Sequence, residues 1–546
     1  MGTTLFYVNK PIIRRLVIWA SMEDLSSYIA HNFHLFVLGA FNDSYSFKLK
    51  LNHSLRYFYA IRQSTDVGSL TYCDFFWQML SIQGVRVSIS ESKEISSLSV
   101  VGPLAAHSLQ ARYYASSTLP IPVEVLSIII DLASQSSHDP ISQSISISHV
   151  CRQWRQISLS MPSLWTSIMF SLPLSNSQLT RINTCITRSR NRPLDIYMDF
   201  RDPFWDWDEA SHVFSHKDME NVMRMLLPQA SRWRSIELLT DTWAPMFTFL
   251  SSTVAIDSAP LLKTVRLSRC NEYFVAQGES FGPENLAAPI AWFRGGTSLS
   301  HLRHVSLSGV HVDWRQSGLT GLRKLELKYH AQDVMPTLSE FRRMLCANTN
   351  LEHLVILGWG PQMDPALDSK RKNDDLQPIS FSQLKELELG SVDVAYTTNL
   401  LSLFALQNLR VLVVEDVAFG IQFAERQDFS PLFDRLVEMS AEERISLPSL
   451  RELTLRNIRA DNTSIRSLFG QLCALTSLCL DRVDATTLSE TCSALHACDH
   501  LEGLTLRDID SAVVALVLPS RSFPPRLRIF LDIDDVDREE EEDSQV

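Results

Sequence analysis

The sequence contains no C-x-x-C pair, and its nine cysteines (Cys73, Cys151, Cys185, Cys270, Cys346, Cys473, Cys479, Cys492 and Cys498) are scattered and odd in number. A zinc ribbon or a disulfide framework fits poorly; reduced thiols in a core fit better. No stretch approaches 18 consecutive apolar residues, so no segment reads as a membrane-spanning helix. Basic charge is not in excess. Against 50 Lys and Arg stand 62 Asp and Glu, a net charge of −12, which does not suit a basic nucleic-acid binder. Residues 532–546 carry nine acids and one base, so this tail supplies −8 and the rest of the chain −4. The tail reads as solvated and disordered. Catalytic signatures are missing as well: there is no G-x-x-x-x-G-K-[ST] phosphate loop, no G-x-G-x-x-G after a strand, no G-x-S-x-G elbow and no H-E-x-x-H. The chain therefore reads as intracellular, in cytoplasm or nucleus, with no cofactor, no metal, and neither nucleic acid nor membrane as a partner.

What is present is ordinary globular composition, 45% hydrophobic and 21% charged over 546 residues, enough for a sizeable core. Residues 1–116 mix aromatics with serine-rich pieces such as Ser96-Ser97-Leu98-Ser99 and have no sustained period. They are an uninterpreted N-terminal extension. Residues 117–172 form a small helical pattern. Leu119-Pro120-Ile121-Pro122 is stiff and extended, because each proline disfavours helix in its predecessor. A helix over 123–133 follows, with Val125, Ile129 and Leu132 along one side. After a turn over 134–140, Ile147, Val150, Cys151, Trp154 and Ile157 fall at steps of three and four on one helix face. Met161-Pro162 stops that helix, and Ser163-Leu164-Trp165 opens a last short element.

Residues 173–531 hold a recurring L-x-x-L-x-L. It occurs at Leu262/Val265/Leu267, Leu302/Val305/Leu307, Leu322/Leu325/Leu327, Leu351/Leu354/Ile356 and Leu384/Leu387/Leu389. Four more copies lie at Leu409/Leu412/Val414, Leu450/Leu453/Leu455, Leu475/Leu478/Leu480 and Leu501/Leu504/Leu506, and Trp233/Ile236/Leu238 is a degenerate one. Several intervals match the 20–29 residues of a leucine-rich repeat, and the longer ones need an insertion or a hidden copy. Helical stretches lie between the hexads. Thr337 and Glu340 make a capping box before Leu338, Phe341 and Leu345, and Thr487 and Glu490 repeat it before Cys492 and Leu495. Strand, turn, helix and strand in succession predict a curved α/β solenoid with a parallel sheet on its concave side. A doubly wound α/β domain is the competing architecture, though it has no reason to repeat one hexad nine times.

Residues 119–165 resemble the F-box motif. The likeness rests on Leu119-Pro120, on the apolar helix through Leu126 and Ile129, and on Val150-Cys151-Arg152-Gln153-Trp154-Arg155 followed by Ser163-Leu164-Trp165. The loop over 134–144 is longer and more polar than the family pattern, and Ile121-Pro122-Val123 stands where an acidic turn is usual. Over about 119–531 the chain resembles the F-box and leucine-rich-repeat proteins abundant in mushroom-forming fungi. Thr187-Arg188-Ser189-Arg190-Asn191-Arg192-Pro193-Leu194 leading into Asp195-Ile196-Tyr197-Met198 and Arg232-Trp233-Arg234-Ser235-Ile236 are typical of them, as are repeats ending in Val310, Val392, Val417, Ile458, Val483 and Ile509. The resemblance implies a non-catalytic substrate-receptor subunit of an SCF-type cullin–RING ubiquitin ligase. Its F-box would bind the Skp-family adaptor and its repeats a protein substrate. A ligase-independent repeat scaffold for protein interaction is the alternative.

A module of about 50 residues has a thin core and too many apolar side chains to hide. Leu119, Pro120, Ile121, Ile129, Val150, Cys151, Trp154, Leu164 and Trp165 are the expected adaptor contacts, with Leu119-Pro120 and Trp165 favoured as interface and Ile147 and Ile157 as core. On the repeats, strand residues flanking the leucines point to the concave side. Val355, Leu357, Val411 and Val413 are apolar there, and Glu386, Glu388 and Glu415 surround them. This pattern predicts an apolar, acid-rimmed substrate patch suited to a basic partner segment, unless an insertion such as 359–381 folds over it.

Overall fold

A computed structural model describes residues 122–532 except 136–138, 207, 210, 270–277, 297–298, 364–376, 423–424 and 521–525. The described residues fall into two units, divided between Leu164 and Trp165. The expected extension over 1–116 and the acidic tail beyond Asp532 lie outside them.

Among its described residues the first unit holds three short helices, α1 Val123–Gln135, α2 Pro140–Val150 and α3 Arg152–Ser160. In α1 the buried side chains are Leu126, Ile130 and Ala133, at helical spacing. The expected stripe of Val125, Ile129 and Leu132 is only half-buried, so the inward face lies one residue further along the chain. Asp139 caps α2, its Oδ1 accepting from the Ser142 amide at 3.0 Å, and Pro140 starts the helix where its missing N–H costs nothing. The expected single helix through Ile147 to Ile157 is two helices. Cys151 is extended (φ −155°, ψ 173°) and its Sγ accepts from the Trp154 amide at 3.4 Å, ending α2 and capping α3. Ile147 and Ile157 are both core. Ser144 Oγ donates to the Leu164 carbonyl at 3.0 Å and Ser163 Oγ to Asp131 Oδ1 at 2.9 Å, tying the closing turn, Pro162–Trp165, to α2 and α1.

The second unit is mixed α/β around one 13-stranded parallel sheet. Its strands are β1 Ser167–Ser171, β2 Leu194–Phe200, β3 Trp233–Thr240, β4 Thr264–Arg269, β5 His304–Ser308, β6 Lys324–Lys328 and β7 His353–Leu357, then β9 Glu386–Ser391, β11 Val411–Asp416, β12 Glu452–Arg456, β13 Ser477–Asp481, β14 Gly503–Arg507 and β15 Arg528–Asp532. Two short strands, β8 Ile379–Ser380 and β10 Phe404–Ala405, pair separately. Strand order in the main sheet is chain order. It contains none of the reversal that a doubly wound sheet needs at its switch point.

All nine hexads and the degenerate copy at Trp233 supply strands. Register aligns equivalent positions, so that Leu325, Leu354, Leu387, Leu412, Leu453, Leu478 and Leu504 lie side by side. Every hexad residue is at most 2% exposed, because alternate strand residues share one face and that face is covered. The long intervals are insertions. β4 pairs directly with β5 and β11 directly with β12, and helices Val417–Gln422 and Ser430–Ala441 lie between the latter two. The capping box at Thr337 and Glu340 begins helix Leu338–Cys346. The one expected at Thr487 does not form. Asp484 caps helix Ala485–Ala494 instead, accepting from the Thr487 amide at 2.7 Å, and Thr487 is buried inside the first turn.

Candidate functional site

Two surfaces bear on binding, and each belongs to one unit. On the helical unit, Val150 is 39% exposed and Cys151 is exposed, at the break between α2 and α3. Ile129 and Trp154 are half-buried. Val123, Ile128 and Leu159 are exposed as well. Three short helices cannot enclose this many large side chains. Arg155 Nε donates to the Ser148 carbonyl at 3.0 Å, which fixes α3 against the end of α2.

Two of the expected adaptor contacts are not at the surface. Leu164 is 2% exposed and Trp165 1%. The expectation placed them at the module's free end. Instead the chain runs straight on into β1, and Trp165 lies under the Arg188 guanidinium, 4.6 Å from its ring centroid, in a cation–π stack. Leu119, Pro120 and Ile121 lie outside the described residues.

On the sheet, the residues alternating with the buried leucines form an open face. The expected apolar patch is smaller than the sequence suggests. Val355 and Leu357 are 7% and 5% exposed, and only Val411 and Val413 remain half-exposed. Gly390 explains part of this. It sits beside Leu357 in the register, and with no side chain there the Leu357 Cδ2 occupies space only 2.8 Å from where a Cβ would stand. Beyond β7 the chain is pinned. Tyr396 Oη accepts from the Gly360 amide at 2.9 Å and donates to the Pro361 carbonyl at 2.8 Å, while Trp359 packs edge-on against the Tyr396 ring at 5.0 Å. Burial pushes the Tyr396 hydroxyl well above the usual phenol range.

The acids around the patch are not free. Arg456, a strand residue expected on the concave side but outside the apolar patch, reaches from β12 to Glu388 on β9 at 2.8 Å, to Glu415 on β11 at 3.4 Å and to Asp481 on β13 at 3.8 Å. Burial pushes the Glu415 carboxyl up against the pull of Arg456, and the neighbouring Glu388 carboxylate adds to the rise. Glu386 lies 2.5 Å from His353 Nδ1. Further along, burial opposes ionisation of Glu326. Hydrogen bonds from Lys324, Ser306 and Lys328 outweigh it and hold the carboxyl down at about 2. The open face is thus largely a run of compensated charges. The strand alternation Glu452, Thr454, Arg456 announces that Arg456 faces the open side, but not which carboxylates it reaches.

Among the described residues, no group of three His, Cys, Asp or Glu side chains is arranged to hold a metal ion, and no helix is long and apolar enough to cross a membrane. No family model matches the chain, and no curated protein matches it.

Proposed function

We propose that the chain is a substrate-receptor subunit of an SCF-type cullin–RING ubiquitin ligase, with residues 117–172 as the F-box and the 13-stranded sheet and its helices as a leucine-rich-repeat solenoid. The single observation carrying this reading is that the three described helices, which include Cys151-Arg152-Gln153-Trp154-Arg155, leave Val150, Ile128 and Leu159 in solvent. Such a unit gains stability by docking its surplus apolar surface on a partner. The Skp-family adaptor is the partner that the F-box resemblance names. The receptor makes no covalent bond itself. Its contribution is proximity, since tethering raises the effective concentration of substrate lysines at the ubiquitin thioester. The reading places the protein in the cytoplasm or nucleus.

The test is capture of the Skp-family adaptor by the full chain. Leu119→Ala with Pro120→Ala, and separately Val150→Asp, should abolish capture while the urea transition of the sheet unit stays in place. Unchanged capture in both variants overturns the assignment. The burial of Leu164 and Trp165 favours the second reading, a ligase-independent interaction scaffold. For that reading the wild-type chain captures no adaptor.

A further inference from the structure

One position of the repeat carries a charge pattern that the expected patch did not use. The residue after the first leucine of each hexad, or after Trp233 in the degenerate copy, reads Arg234, Lys263, Arg303, Arg323, Glu352, Lys385, Arg410, Arg451, Thr476 and Glu502 along the sheet. Seven of these ten are basic and two acidic, in a chain whose total charge is negative. The backbone locks them in line. The amide of each donates to the carbonyl of the one before it, at 2.7 to 2.9 Å, from Lys263 to Glu502 without a break. The side chains therefore emerge as a single row across the starts of the strands. Neighbouring strands lie roughly 4.8 Å apart, so Lys263 to Arg451, seven strands, covers about 29 Å.

Much of this charge is uncompensated. Arg234 pairs with Asp195, and Glu352 with Lys385 at 2.8 Å and Arg323 at 3.8 Å. Among the described residues, Lys263, Arg303, Arg410 and Arg451 have no carboxylate within ion-pair distance, and Lys263, Arg410 and Arg451 are exposed. A cleft of about 560 Å³ opens onto the middle of the row, and Arg303, Arg323, Ser300, Asn350 and Gln383 line it together with Glu352. Nearby, burial and then the charges of Lys324, Arg266, His353 and Arg323 hold the His304 imidazole below its ordinary value, as a local excess of positive charge does.

We infer that this rim is a docking surface for an extended Asp- and Glu-rich segment of a partner protein, lying across the strand starts from Lys263 to Arg451. The geometry favours an extended acidic peptide. The cations are spread singly at strand spacing over a length that about nine extended residues span, rather than gathered around one phosphate-sized point. A nucleic-acid backbone fits less well, because Glu352 interrupts the row and Glu326 and Glu386 lie on the open face beside it. The surface stands whether or not the chain joins a ligase, and its test contains no adaptor.

The experiment is fluorescence anisotropy of a labelled peptide of about twelve Asp and Glu residues titrated with the full chain at two salt concentrations. The same peptide in Asn and Gln is the control. The acidic peptide should bind, weaken steeply with salt, and lose at least about tenfold in affinity in Lys263→Glu/Arg323→Glu/Arg410→Glu. The milder Lys263→Gln/Arg323→Gln/Arg410→Gln should lose about threefold, which keeps the test valid if the reversal variant folds poorly. The inference is overturned by no binding of the acidic peptide, by equal binding of the Asn/Gln control, or by an affinity that neither variant changes. Single-stranded DNA of equal charge binding more tightly would assign the row to nucleic acid and overturn it too. A tenfold gain on replacing Glu539 to Glu542 with Gln in the full chain would assign the row to the chain's own tail, again against a partner.

Discussion

Arg456 Nη1 lies 2.8 Å from Glu388 Oε1, two strands away across β11, and 3.4 Å from Glu415 Oε2 on the strand between. One guanidinium thus holds together carboxylates that would otherwise repel at strand spacing. Replacing it by methionine leaves Glu388, Glu415 and Asp481 facing one another. The Arg456 side chain is about a third exposed, so solvent screens part of the loss, and Arg456→Met should cost about 1–2 kcal/mol at neutral pH. Because Glu415 takes up a proton more readily than an ordinary carboxyl, the cost should shrink as pH falls. Urea midpoints of both proteins at pH 7 and pH 5 measure this; a cost that is constant or grows in acid contradicts it.

Asn348 is buried, and its side-chain amide is engaged at both ends. Its Oδ1 accepts from the Leu322 amide at 2.7 Å, and its Nδ2 donates to the carbonyls of Leu319 at 2.8 Å and Met344 at 2.7 Å. It joins the end of helix Leu338–Cys346 to the turn before β6. Asn348→Ala strands a buried amide and two buried carbonyls, and should destabilise by about 2–4 kcal/mol. Asn348→Asp keeps the acceptor but loses both donors and should not restore stability. Equal urea midpoints for wild type and Asn348→Ala would count against this role.

Two neutral histidines sit in the core. His311 Nε2 donates to the Ala287 carbonyl at 3.0 Å and its ring stacks on Trp243 at 4.9 Å, while His330 Nε2 donates to the Val310 carbonyl at 2.9 Å. Burial pushes both imidazoles down to about 4. The unfolded chain therefore binds protons more strongly between about pH 6.5 and 4. Stability should be full above pH 6.5 and fall as pH drops through that window, by on the order of 3 kcal/mol per histidine. Glu326, held at about 2, adds its loss as pH falls from about 4.5 toward 2, so the two effects separate above about pH 4.5. The His311→Gln/His330→Gln variant should show a flatter stability profile from pH 6.5 to 4.5, read by near-ultraviolet circular dichroism in urea. A slope equal to wild type would refute the assignment.

A side chain at position 390 meets a wall. A Cβ there would stand 2.5 Å from Val417 Cγ2, 2.8 Å from Leu357 Cδ2 and 3.2 Å from Leu357 Cα. Gly390→Ala should cost about 1–3 kcal/mol by overpacking, and Val417→Ala in the same chain should return part of it. Thermal melting of the single and double variants is the check, and simple additivity of the two losses would speak against the contact.

The strands were the most legible part of the sequence, and the reason is physical. A hexad such as Leu450/Leu453/Leu455 places three side chains on the covered face, so pattern and burial are the same fact seen twice. β1, β2 and β15 were missed because each lacks the leading leucine of the hexad; β2 still shows the alternation Leu194, Ile196, Met198, Phe200. Helix ends were less legible. A cysteine is not among the favoured N-caps, so nothing in the spacing announced the break at Cys151. Asp484 and Thr487 are both plausible caps three residues apart, and side-chain packing chose the first. Exposure on the open face was least legible. Whether Leu357 meets water depends in part on Gly390, its partner on the neighbouring strand, which no local period encodes.

A sheet whose strands are laid in chain order has a further property. Each strand needs only its predecessor as a template, so close contacts join segments near in sequence and assembly can proceed stepwise as the polypeptide emerges. The same economy bears on descent. Duplicating a single strand-and-helix segment lengthens the row by one step and leaves every other pairing intact, so recognition surface can be gained or lost in evolution without redesigning the rest.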